Sequence, residues 1–261
     1  MGTPHTGYDP DLHARRAAAF GAAAAEYAEH RPDYPADAAA WALEPAGPGP
    51  LHVLDLAAGT GKLSRPLVAL GHRVTAVEPD EAMLAELRRH VPEATALAGS
   101  AERIPLPDAS VDAVVVGQAI HWFDQAVALP EIARVLRPGG PLATLSNAED
   151  EGVEWVAGLA KVSPTQASFT DWANRPGRRI EPHPAFSATE NADFPHAQRR
   201  TAESLIATVA THSHILVMEP AEREAAKERI RAYLRSRPET CAGAFDLPLL
   251  TRVQRCVRAA G

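Results

Sequence analysis

Apolar residues follow two rhythms along this chain. Short runs rich in Val, Leu and Ala, bounded by Gly, Pro or an acid, alternate with longer stretches in which apolar residues recur every third or fourth position. The short runs predict strands over 53–55, 73–77, 94–98, 111–116 and 142–145. The longer stretches predict helices over 62–70, 80–90 and 125–136, the last stopped by Arg137-Pro138-Gly139-Gly140. Strands separated by helices imply right-handed crossovers and a parallel sheet. Ligands of such sheets lie at the carboxyl ends of the strands, so the pattern also predicts where a site should be.

The flanks read differently. Residues 1–10 are polar with Pro and Gly, which predicts a frayed end. An alanine-rich helix over 12–30 stops at Arg31-Pro32-Asp33-Tyr34-Pro35, where two prolines force extended backbone. A short helix over 36–43 and the linker Ala46-Gly47-Pro48-Gly49-Pro50 lead into the first strand. Beyond 147 we expect a helix over 151–162, a long polar loop over 163–191 carrying Phe169, Trp172 and Phe186, and a strand over 194–200. Helices over 202–210 and 221–235 and a last strand over 245–257 complete the chain. A loop as long as 163–191 in a compact domain is usually functional or disordered.

The first strand ends in an acid, Asp55, and runs through Leu56-Ala57-Ala58-Gly59-Thr60-Gly61 into a helix at Lys62. Small residues let a ligand approach the backbone, and Gly59 and Gly61 can adopt dihedrals closed to other residues. The second strand ends in Glu78, 19 residues after Gly59, where an acid can hold a ribose diol. The pair points to an adenosine ligand. A phosphate-binding P-loop would need Gly-Lys-Ser/Thr, yet Lys62 is followed by Leu63. A dinucleotide loop prefers three glycines under a pyrophosphate, whereas this one has Asp55 at its mouth and Ala57 in a glycine place. An acid beside the loop suits a ligand with a cationic end, and disfavours a nicotinamide-dependent oxidoreductase.

Taken in order over about residues 51–146, DLAAGTG, VEPD, SAERIPLPDASVDAVVVGQAIHWFD and LRPGG resemble the class I S-adenosylmethionine-dependent methyltransferases. The resemblance implies an α/β fold: a doubly wound, Rossmann-like, seven-stranded and mostly parallel sheet with a helical cap. It implies S-adenosyl-L-methionine as cofactor, held by Asp55, Ala57, Ala58, Gly59 and Gly61 at its methionine part and by Glu78 and Pro79 at the ribose. Ser100, Ala101 and Glu102 would meet the adenine edge, Met83 its face, and Gln118 would line the same crevice. The family often has an acid where Ser100 stands, and most often a glycine where Ala57 stands. Two of these positions have plainer readings: Asp55 can cap the helix after the loop, and Met83 can be core.

The order of elements after 147 is similar to a small-molecule subgroup, the methyltransferase type 11 and trans-aconitate-like enzymes, and Tyr27, Arg31 and Tyr34 match that subgroup's RPxYP segment. By this resemblance the chain is one domain. Residues 1–50 form lid helices, 51–146 the cofactor-binding core, and 147–261 the substrate-specifying cap with the last two strands. Tyr27, Arg31, Trp122 and Arg199 are then substrate candidates. Arg199 and Arg200 can both meet an acidic substrate, but in a strand one of them must face solvent.

His121, after the fourth predicted strand, is the candidate catalytic residue, because imidazole can take a proton from the acceptor near neutral pH. The other reading is that His121 only orders its loop, since methyl transfer can proceed by positioning two reactants, with Gln118 and Trp122 walling the pocket. The expected activity is methyl transfer to oxygen, nitrogen or carbon of a small molecule. A chain that keeps the fold but only binds the cofactor, or uses it for another rearrangement, is the alternative.

Charge and composition narrow the partners. A formal net charge of −7 argues against nucleic acid, whose binding needs clustered Lys and Arg, and the Asn/Asp-Pro-Pro-aromatic signature of base methylation is absent. Cys241 and Cys256 are too few for a zinc or disulfide framework, and no grouped His, Cys and carboxylate set has ligand spacing, so no metal is expected. No signal-peptide layout or membrane-length apolar run is present, which predicts a cytoplasmic, non-membrane protein. A monomer or homodimer is expected.

Overall fold

The structure, a computed structural model, describes residues 32–163, 177–210 and 218–260. The predicted helix over 12–30, with Tyr27 and Arg31, lies outside the described residues, as do Phe169 and Trp172. Strands and helices alternate as the apolar rhythm predicts: α1 (Ala36–Leu43), β1 (His52–Leu56), α2 (Ser64–Ala69), β2 (Arg73–Glu78), α3 (Glu81–His90) and β3 (Thr95–Ala98). There follow β4 (Ala113–Gly117), a single 3-10 turn Ile120–Trp122, α4 (Gln125–Val135), β5 (Pro141–Glu149) and α5 (Glu154–Val162). The chain closes with β6 (Glu190–Arg200), α6 (Ala202–Ala210), α7 (Pro220–Arg235) and β7 (Phe245–Val257).

One seven-stranded sheet runs in the order β3-β2-β1-β4-β5-β7-β6. The first five strands are mutually parallel, with Val53 of β1 between Val74 of β2 and Ala113 of β4. β7 is antiparallel to both β5 and β6. The strand order reverses between β1 and β4; the carboxyl edge at such a reversal is the usual ligand site of doubly wound sheets. One face is covered by α1, α2 and α3, with Ala39, Leu67 and Leu87 against Val53, Val74 and Val115. On the other face α4 lays Leu129 and Ile132 on Val114, Val116 and Leu142. A third apolar cluster joins α5, α6 and α7 to Phe245, Leu247 and Leu249 of β7, and forms the helical cap.

Several boundaries move, each for a physical reason. β1 starts one residue early at His52, whose ring has partners in Ser110 O at 3.0 Å and Thr75 Oγ1 at 2.8 Å. β4 starts at Ala113 because Val111 pairs singly with Leu136, the residue after α4. α2 begins at Ser64, since the backbone is still turning at Gly61. The largest change is that β5 runs on to Glu149 and β6 begins at Glu190, inside the predicted loop. Both are extended by pairing with the 13-residue β7, which satisfies backbone groups whatever the side chains. β6 is an edge strand, and so it accommodates Pro195, which has no N–H to donate.

Candidate active site

The loop after β1 is built from backbone that few residues adopt. Ala57, Gly59 and Gly61 have φ of 55°, 56° and 84°. Alanine tolerates this at Ala57 at some cost; Gly61 has no such latitude, because a Cβ there would sit 3.0 Å from Val91 Cγ2 and 3.1 Å from Leu87 Cγ. The loop is therefore pressed against the carboxyl end of α3. At Gly59 a Cβ would meet only Met83 Sδ, at 3.7 Å, so that side of the loop is open apart from a methionine sulfur. Met83 is a buried core residue of α3, with its sulfur facing the loop at Gly59.

Two acids hold this loop from beneath. Glu78 Oε2 accepts from Gly59 N at 2.9 Å and Oε1 from Asp80 N at 3.0 Å, while Asp80 in turn caps α3 by accepting from Met83 N. Each carboxylate oxygen keeps a second lone pair for a ligand. Burial pushes the Glu78 carboxyl up against the pull of its two backbone donors. Asp55 is fully buried and accepts from Ser64 Oγ at 2.6 Å through Oδ2, so it does anchor the following helix. Its Oδ1, like the hydroxyl of Thr60, is buried with no hydrogen-bond partner among the described residues. Burial lifts Asp55 to about 7, with Glu78 adding repulsion and Ser64 opposing.

The other strand ends converge on the same edge. Gln118 follows β4 with φ 57°, donates from its N–H to Leu145 O at 2.9 Å and from Nε2 to Asn147 O at 2.8 Å. His121 and Trp122 are half-buried in the 3-10 turn, ring centroids 4.7 Å apart. Ala101 is buried, and the Ser100 carbonyl accepts from Arg103 N at 3.2 Å. Glu102 Oε1 accepts from Asp124 N at 3.1 Å, which ties the turn after β3 to the start of α4.

At the far strands the position of one candidate needs correction. Arg199 is exposed and pairs with Asp246 at 3.4 Å, whereas Arg200 is buried, 6% exposed. The alternation of an edge strand thus turns the second arginine inward, not the first. The segment before α1 also makes contacts that its sequence does not mark. Tyr34 is buried against Gly117, and Asp33 accepts from Asn147 Nδ2 through its carbonyl at 3.0 Å. The Asp33 carboxylate pairs with Lys62 at 3.3 Å and with Arg65. The RPxYP resemblance was the only signal for this segment; Asn147 and Lys62 had none. Among the described residues there is no group of three or more His, Cys, Asp or Glu able to hold a metal, and no helix long and apolar enough to cross a membrane.

Comparison with known proteins adds three observations. A family model for a methyltransferase domain matches residues 54–144. An uncharacterised methyltransferase of Mycobacterium tuberculosis is 39% identical over 246 residues, covering 92% of this chain and 94% of its own, and a methyltransferase-like protein of Schizosaccharomyces pombe is 32% identical over 206 residues, 77% and 79% of the two chains. A solved structure from Anaeromyxobacter dehalogenans, assigned as a type II methyltransferase, superposes with a TM-score of 0.61 at 26% identity over 87% of this chain and 97% of its own.

Proposed function

We propose that this chain, which belongs to the class I S-adenosylmethionine-dependent methyltransferase family, moves a methyl group from S-adenosyl-L-methionine to a small-molecule acceptor at the carboxyl edge of the sheet. The observation that carries the cofactor assignment is Asp55: a fully buried carboxyl at the mouth of a positive-φ loop, with Oδ1 lacking a partner among the described residues. A buried carboxyl held near neutrality is relieved by a cation beside it, and the methionine end of this cofactor carries one. When bound, S-adenosylmethionine supplies an electrophilic methyl group on a sulfonium sulfur.

The chain's own residues then divide the work. Asp55 and the backbone of loop 57–61 receive the methionine part. Glu78, already held in place by Gly59 N and Asp80 N, would hold the ribose hydroxyls with its remaining lone pairs, and Pro79, Met83, Ser100, Ala101 and Glu102 would hold the nucleoside. On the acceptor side, Gln118, His121 and Trp122 follow β4 directly, and His121 is the base candidate for removing the acceptor's proton as the methyl group is attacked. Fixing two reactants in line supplies much of the acceleration such a reaction needs. A small acceptor, not a nucleic acid, fits a net charge of −7. The test is calorimetric titration with S-adenosylmethionine, followed by a metabolite screen for release of S-adenosylhomocysteine. Binding without release for any acceptor would favour a chain that only holds the cofactor.

A further inference from the structure

The leading segment, residues 32–35 before α1, meets residues at or just beyond the carboxyl ends of three strands. The Asp33 carboxylate pairs with Lys62, at 3.3 Å, and with Arg65, in the turn and helix that follow loop 57–61. Tyr34 packs on Gly117, the last residue of β4. The Asp33 carbonyl accepts from Asn147 Nδ2 at 3.0 Å, and Asn147 lies on β5 beyond the pairing of Leu145 with Gly117. The leading segment thus joins the helix after the loop to a strand that is not hydrogen-bonded to β1.

Asn147 is the fixed point of this strap. A carbonyl oxygen can only accept, so Asp33 dictates that the amide nitrogen of Asn147 faces it and that Oδ1 turns the other way. Oδ1 accepts from the hydroxyl of Thr251, its partner in the β5–β7 pairing. With its one proton given to Asn147, the Thr251 oxygen accepts in turn from Nε2 of His196 on β6, at 3.0 Å. Both polar atoms of the Asn147 side chain are thereby directed. Its backbone carbonyl accepts from Gln118 Nε2 at 2.8 Å, so the same residue also meets the turn after β4.

The ion pairs alone would hold Asp33 poorly. Its side chain is 48% exposed and that of Arg65 55%, and exposed pairs are weak because ordering two side chains costs much of what the charges gain. That cost falls when the backbone carrying one partner is already fixed, and the hydrogen bond from Asn147 fixes it. The order reaches the loop through Arg65, whose N–H donates to Gly61 O at 3.1 Å and closes the loop onto α2.

We infer that Asn147 is a positioning residue for the cofactor loop: acting through Asp33, it fixes Lys62 and Arg65, and with them the end of loop 57–61 that opens α2. This rests on the reading of that loop as the S-adenosylmethionine site, and adds to it a residue two strands away in the sheet. Thr251 and His196 serve the same end one step further out, by holding the Asn147 amide in the one orientation that offers a donor to Asp33.

The test is a double-variant cycle on the full chain, read by calorimetric affinity for S-adenosylhomocysteine at a temperature where each protein is folded. Asn147→Ala, and Asp33→Asn, which keeps the carbonyl but removes the charge, should each weaken binding by about three- to tenfold, the weight of one net hydrogen bond. Because Asn147 acts through Asp33, the double variant should bind no more weakly than the worse single. Thr251→Val, which removes the hydroxyl that holds Asn147 Oδ1, should lose less than Asn147→Ala. Asp246→Asn, which breaks an exposed ion pair with Arg199, should bind like the parent. Parent-like affinity in Asn147→Ala, losses that multiply in the double variant, or an equal loss in Asp246→Asn overturns the role. Hydrogen exchange of the Arg65 amide without ligand is the second measurement, expected to quicken in Asn147→Ala and Asp33→Asn and to stay unchanged in Asp246→Asn. Failure of S-adenosylhomocysteine to bind the parent would overturn the cofactor reading instead, and the exchange rates then decide whether Asn147 orders the loop. If Asn147→Ala does not fold, Asn147→Asp takes its place in the cycle, since it sets a carboxylate oxygen against the Asp33 carbonyl where a donor is needed.

Discussion

A Cβ built on Gly117 would lie 2.8 Å from the Tyr34 hydroxyl oxygen and 3.2 Å from Cζ, so the last residue of β4 and the segment before α1 meet at a distance that only glycine permits. The two are far apart in sequence, and their contact seats the leading segment at the carboxyl end of β4. Gly117→Ala should displace Tyr34 and cost about 1–3 kcal/mol, the usual range for overpacking. Tyr34→Phe removes the nearest atom of the clash. The double variant should therefore be less destabilised than the sum of the singles in urea melts, and strict additivity would show that the two side chains do not compete for the same space.

The buried Asp55 gives the protein a pH signature. Its carboxyl ionises near 3.8 when unfolded and at about 7 when folded, so between those values the folded state keeps a proton that the unfolded state has released. Its contribution to stability is therefore greatest below the unfolded value, falls as pH rises from about 4 to about 7, and is level above that. Asp55→Asn should remove this component. The parent's stability minus the variant's should decline across the window, with a slope of at most about 1.4 kcal/mol per pH unit. A difference that is flat with pH in denaturant titrations would argue that the carboxyl is not held protonated.

The same group links cofactor binding to protons. A cation placed beside Asp55 favours its ionised form, so binding of S-adenosylmethionine should release protons below about pH 7 and tighten as pH rises toward that value. Calorimetry in two buffers of different ionisation enthalpy measures the release directly. Asp55→Asn should show less release than the parent.

Glu78 is the acceptor for two backbone donors that shape the pocket, Gly59 N and Asp80 N. Glu78→Ala leaves both without that acceptor and withdraws the ribose contact, and should weaken S-adenosylhomocysteine binding by on the order of 1.5–3 kcal/mol. Glu78→Gln, which keeps one carbonyl oxygen, should fall between. Unchanged affinity in the alanine variant would remove Glu78 from the ribose assignment.

For His121 the decisive comparison is His121→Gln, which preserves hydrogen bonding but takes up no proton near neutrality. As a general base, its loss should cost about 10²–10⁴ in single-turnover rate and abolish the pH dependence. If both the rate and the profile survive, His121, whose ring lies tilted against Trp122, orders its loop, and proximity is the better account of catalysis.

Much of this protein is legible in one dimension because its core is periodic. The strands from β1 to β5 and the helices between them are marked by local apolar runs, and the loop by small residues whose φ values are forced; the acids at Asp55 and Glu78 stand out because they end buried strands. What the sequence by itself determined, then, is the alternating sheet, the carboxyl edge where its loops gather, and the two acids beneath the first loop. Only the tertiary structure decided the rest. β5 and β6 extend through polar residues because pairing with β7 satisfies their backbones, a benefit no local pattern records. Arg200, not Arg199, turns inward because the face of a strand is set by register with its neighbour. Tyr34 meets Gly117, and Asp33 meets Lys62, because contacts between distant segments depend on how the sheet and the leading segment pack, and their cost and gain appear only when the chain is closed in three dimensions.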